Sequence, residues 1–127
     1  MEAVVEQMSA AKELSEQGVK SAKAYLKHRG YQILDTNWTC SAGTVDLVVK
    51  QDDMLVFVEI VVSDSGFPKE CNSEKKRERF ENIAIAYIQT KDDICDVRVR
   101  FDVLAISVIS NDKAMIRHHV NAFCVGD

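Results

Sequence analysis

Apolar positions recur at steps of three and four through the first thirty residues: Val4, Val5, Met8, Ala11, Leu14, Gly18, Ala22, Tyr25 and Leu26. That spacing gathers them on one face of an amphipathic helix. Gly18 lies on this face. A mid-helix glycine costs about 1 kcal/mol against alanine, so its presence points to a close neighbour. Gly30 is placed to end the helix as its C′ residue. The pattern then changes. Tyr31–Trp38, Thr44–Lys50 and Met54–Val62 read as strands, and the polar "QDD" at 51–53 separates the last two by hairpin spacing. The loop "SDSGFPKECNS" follows and holds the one proline, Pro68; Asn72 or Ser73 can cap a second helix. The stripe of that helix is Phe80, Ile83, Ala84, Tyr87 and Ile88. Val97–Ile109 and Ala114–Phe123 read as two further strands. The order α-β-β-β-α-β-β predicts an α/β fold with a central mixed sheet flanked by helices.

Composition changes this picture little. A chain of 127 residues is expected to form one domain, 1–127, with 46% hydrophobic and 28% charged residues, an ordinary globular mixture. A formal net charge of −4 excludes a strongly basic nucleic-acid binder as a whole, though not a local basic patch. Cys40, Cys71, Cys95 and Cys124 form no C-x-x-C pair and match no zinc spacing, so they read as free thiols of a reducing compartment. The N-terminal stretch has no apolar signal core, and no apolar run approaches the ~20 residues of a membrane span. The expectation is a soluble, cytoplasmic protein.

One residue does not fit its surroundings. Glu59 sits in the middle of "MLVFVEIVV", the most apolar run of the chain. A two-residue turn at Asp52–Asp53 would pair Gln51 with Met54. That register sets Asp46 opposite Glu59, and Thr44 opposite Val61. Like charges directly opposite are destabilising. A bridging divalent cation, a retained proton or a nearby Lys or Arg would relieve them; the alternative is a wet face.

These residues belong to a longer pattern. The sequence reads "GVKSAKAYL" at 18–26, "GYQILDTNW" at 30–38, "GTVDL" at 43–47, "FVEIVVS" at 57–63, "RFDV" at 100–103 and "HHVNAF" at 118–123. In order and spacing it resembles the YraN-like family of uncharacterised bacterial proteins. The corresponding family motifs are G-E-x-x-A-x-x-Y-L, G-Y-x-I-L-x-x-N-W, G-E-I-D-L, F-V-E-V-K-x-R, R-F-D-V and H-I-x-N-A-F. The resemblance implies a restriction-endonuclease-like fold and the nuclease signature Asp…Glu-x-Lys. There the Asp and Glu hold a divalent metal, usually Mg²⁺, and the Lys stabilises developing charge. Asp46 and Glu59 match the two acids. Val61 stands at the Lys position, Ser63 at the Arg, Thr44 at the Glu of G-E-I-D-L and Val19 at the helix-one Glu. All four are uncharged here.

The leading expectation is therefore a degenerate nuclease-like domain. Its catalysis is impaired, Mg²⁺ binding at Asp46 and Glu59 is weak or absent, and weak DNA or other nucleic-acid binding runs through Lys75, Lys76, Arg77 and Arg79. The first alternative is an active Mg²⁺-dependent DNA endonuclease in which a lysine of the second helix, Lys76, joins Asp46 and Glu59. Against it, "EKKRER" reads as a solvated face with local pairs such as Arg77–Glu81. The second alternative is a protein-interaction or homo-oligomerisation module. Asp102 is expected to pair with Arg98 or Arg100. His118 and His119 point to opposite strand faces, so they do not share an ion, and His118 reads as structural. Trp38 reads as packing.

Overall fold

A computed structural model describes residues 16–63, 74–91, 97–110 and 113–122. The helical positions expected at Val4, Val5, Met8, Ala11 and Leu14 lie outside these residues. So do Pro68, the cap at Asn72 or Ser73, Phe123, and the thiols of Cys71, Cys95 and Cys124.

The elements follow the expected order. Helix α1 is described over 16–28, followed by β1 (Gln32–Cys40), β2 (Gly43–Gln51) and β3 (Met54–Ser63). Helix α2 (Glu74–Gln89) precedes β4 (Arg98–Ser110) and β5 (Lys113–His119). The strands form one sheet in the order β1-β2-β3-β4-β5, parallel only between β3 and β4. A parallel pair needs a long crossover, and the segment carrying α2 supplies it. The result is a mixed sheet with helices packed on it, the restriction-endonuclease-like arrangement.

Burial explains why this order is stable. One face of the sheet sends Leu47, Val49, Val56, Val58, Leu104 and Ile106 against Ala22 and Leu26 of α1. The other sends Val48, Leu55, Phe57 and Val103 against Phe80, Ile83, Ala84 and Tyr87 of α2. Trp38 packs here, its ring edge-on to Tyr87 at 5.1 Å. Gly18 has the close neighbour its position implied: a Cβ there would overlap the Val62 side chain.

The turn at Asp52–Asp53 sets the register as expected, from Gln51↔Met54 to Leu47↔Val58. The ladder then stops, one pair short of Asp46 and Glu59. The cause lies in both neighbouring strands. Val45 belongs to the core under α2, whereas Leu47 belongs to the core under α1. Two residues apart on a regular strand they would share a face. On β1, Asn37 takes a φ of 53°, in the left-handed region that asparagine tolerates better than most residues. The sheet thus changes faces at Asn37 and Asp46. The expected opposition of Thr44 and Val61 is lost with it. Thr44 instead pairs with Thr39, their hydroxyl oxygens 2.9 Å apart, while Val61 packs toward the α2 core.

Candidate functional site

The face change decides where Asp46 goes. Its Oδ2 accepts the Ile60 N–H at 2.7 Å, a bond the strand ladder would otherwise have placed on backbone. Burial raises the Asp46 pKa; the Ile60 N–H opposes this, Glu59 adds to it, and the positive charges of Arg79 and Lys76 oppose it. Two carboxylates and two cations thus lie within electrostatic reach of one another.

The cations come from α2. Lys76 Nζ stands 2.8 Å from Glu59 Oε2, with both side chains less than one-fifth exposed. The contact is an ion pair without hydrogen-bond alignment: among the described residues, Glu59 Oε2 accepts no directed hydrogen bond. The stem of Arg79 passes over Gly43, where a Cβ would come within 3.3 Å of Arg79 Cδ. Gly43 therefore clears the path of Arg79 toward Asp46. In the rest of the basic run Lys75 and Arg79 are exposed, while Arg77 is partly buried: it pairs with Glu81 at 3.4 Å, and its Nε is shielded from water with no hydrogen-bond acceptor among the described residues.

On the α1 side, Asp46 lines an open cleft of about 530 Å³ with Glu16, Val19, Lys20, Lys23, Thr36 and Asn37. Sequence reasoning did not find this cleft. Helical spacing from Val19 to Lys23 was the available signal, but nothing in the pattern placed Asn37 beside Asp46.

Asp102 forms a separate network. It is fully buried and pairs with Arg100, as one of the two expected partners, through both oxygens at 2.9 and 2.8 Å. His118 Nε2 lies 2.7 Å from its Oδ2, and the Asn121 N–H donates to Oδ1 at 2.9 Å. His118 Nδ1 meets the Tyr25 hydroxyl of α1 at 3.1 Å. Burial would push the Asp102 pKa up, but these donors outweigh it and hold it below the ordinary carboxylate value. The network ties α1 to β4 and β5.

The pattern of the uncharacterised protein family UPF0102, the YraN family, matches residues 16–106. The chain belongs to this family. A UPF0102 protein of Geobacter sulfurreducens is 36% identical over 113 residues, covering 87% of this chain and 88% of its own. One from Clostridioides difficile is 33% identical over 115 residues, covering 88% and 97%. One from Roseiflexus castenholzii is 37% identical over 98 residues, covering 75% and 79%.

The UPF0102 motif positions now have places. Val19 lines the cleft beside Asp46, and Val61 follows Glu59 on the α2 side of β3. At the two positions where the resemblance implies a glutamate and a lysine stand Val19 and Val61, and the cations near Asp46 and Glu59 come from α2. No group of three or more His, Cys, Asp or Glu side chains able to hold a metal occurs among the described residues, and no described helix is long and apolar enough to cross a membrane.

Proposed function

We propose that this UPF0102 chain is a nuclease-derived, nucleic-acid-binding domain with an incomplete catalytic set. The observation that carries this reading is the Lys76–Glu59 contact of 2.8 Å. An ammonium group occupies the acid that a metal would need. Asp46 already accepts the Ile60 N–H, and valine at 19 and 61 offers no donor. The donor set therefore does not fit a resident Mg²⁺, whose binding on this reading is weak or absent. A site lacking one transition-state stabiliser commonly loses about 10²–10³-fold in rate. DNA is the partner class, bound weakly and with strong salt dependence, and the cytoplasm is the compartment. The experiment is incubation of the purified protein with Mg²⁺ or Mn²⁺ and single-stranded, duplex or branched DNA. No cleavage is expected. Reproducible cleavage abolished by Asp46→Ala overturns the reading.

The same contact favours one rival, an active Mg²⁺-dependent DNA endonuclease in which Lys76 is the relocated lysine. Lys76→Ala separates the two. If Lys76 is an internal counterion, the variant binds Mn²⁺ more tightly than the wild type in calorimetric titration and still does not cleave. If it is the relocated lysine, the wild type cleaves and the variant does not.

A further inference from the structure

The densest basic run in the sequence is a poor nucleic-acid surface once folded. Lys76 is taken by Glu59 and Arg77 by Glu81, leaving Lys75 and Arg79 among the glutamates of α2. Helix α1 is arranged differently. Over residues 16–30 the chain carries Lys20, Lys23, Lys27 and Arg29 against a single acid, Glu16. Lys20, Lys23 and Lys27 follow steps of three and four, so they share one helix face. None of the three makes an ion pair among the described residues. At 1.5 Å per residue they span about 10 Å of helix axis, the axial length of about three phosphates on one strand of a duplex. Lys20 and Lys23 border the cleft of about 530 Å³, and exposed Thr36 and Asn37 line its β1 side. Two acids line it, Glu16 and Asp46; the positive charges of Arg79 and Lys76 offset that of Asp46 from the far side.

We infer that the nucleic-acid interface of this protein is the lysine face of α1 together with this cleft, which receives a phosphodiester backbone and leads it to Asp46. The inference rests on the nucleic-acid-binding reading and relocates its surface. Lys20 and Lys23 contact phosphate oxygens, and Thr36 and Asn37 offer hydrogen bonds from the opposite wall. Such contacts position a strand without reading its bases.

The test is fluorescence anisotropy with labelled single-stranded, duplex and branched DNA at several salt concentrations. It compares the wild type with Lys20→Glu/Lys23→Glu and with Lys75→Glu/Arg79→Glu. The α1 variant is expected to lose about tenfold or more in affinity, and its slope of log K against log salt should be shallower by about two. The α2 variant should lose less. Lys20→Gln/Lys23→Gln, checked by circular dichroism, should show the same order if charge reversal disturbs folding. Equal losses in both variants, or a loss confined to the α2 variant, overturn the inference and leave the binding reading standing. A wild type that binds none of the three DNAs overturns both.

Discussion

Lys76 of α2 and Glu59 of β3 meet at 2.8 Å, although they lie seventeen positions apart in the sequence. The motif position for a lysine is two residues after the glutamate on the same strand, and Val61 stands there. In this chain the cation beside the carboxylate comes from α2 and a valine stands on β3.

A double-mutant cycle tests that arrangement. Val61→Lys alone sets a second ammonium beside Glu59 in a partly buried, apolar setting, and should cost about 1–3 kcal/mol in urea unfolding. Lys76→Val alone strands Glu59 without its cation and should cost a similar amount. Together the two should cost less than their sum by more than about 0.5 kcal/mol, the mark of coupled residues. Additive costs would show that the two positions do not serve one carboxylate.

Asp102 gives a signed pH dependence. Its pKa in the folded protein lies below the ordinary carboxylate value, held down against burial by His118, Arg100 and the Asn121 N–H. The stability it contributes is therefore fully present above pH 4 or so and is lost as pH falls through the folded pKa. Asp102→Asn should flatten that acid limb. At neutral pH it should cost about 3 kcal/mol, because it leaves Arg100 without its carboxylate. Chemical unfolding at a series of pH values measures both.

Asp46 should behave in the opposite sense. Its folded pKa is raised above 3.8, chiefly by burial. Below the unfolded value the group is neutral in both states and carries no penalty. As pH rises through the folded pKa, ionisation costs stability. Relative to wild type, Asp46→Asn should therefore gain stability between pH 4 and pH 7, since the amide oxygen can still accept the Ile60 N–H. A loss of stability over that range would mean that the ionised carboxylate is held favourably by Arg79 and Lys76.

Gly18 is the residue whose replacement separates local preference from packing. Alanine gains about 1 kcal/mol of helix propensity, yet its Cβ would overlap Val62, a branched side chain with little freedom to yield. Gly18→Ala should destabilise by about 1–3 kcal/mol. Val62→Ala in the same chain should recover part of that loss. A more stable single variant would place α1 farther from β3.

Much of the architecture is legible in the chain itself, for identifiable reasons. The two polar residues at Asp52 and Asp53 leave only one short connection, so the β2–β3 register follows. The two helix stripes and the runs buried on both sides define the two cores. The site was less legible. Strict alternation puts Asp46 directly across from Glu59, and nothing in the apolar pattern signals that Asn37 enters the left-handed region and turns both strands over. The basic run has the same difficulty. Its helical spacing fits several faces, and only the position of β3 decides that Lys76 turns inward while Lys75 does not. Asp102 was half legible, because Arg100 is two residues away on the same strand whereas His118 comes from the next.

Helix α2 is held to the sheet by Phe80, Ile83, Ala84 and Tyr87, all of them C-terminal to Lys76. None of Lys75, Lys76 and Arg77 is fully buried, whereas Phe80, Ile83, Ala84 and Tyr87 further along are. In this protein the acids are built into the sheet, whereas their counter-charge is mounted at the outer end of a lever whose anchorage lies further along. A ligand that draws that one side chain away would leave Glu59 without the ammonium now 2.8 Å from it. The charge state of the site is thus an adjustable part of the molecule, where a lysine on β3 would have made it a permanent one.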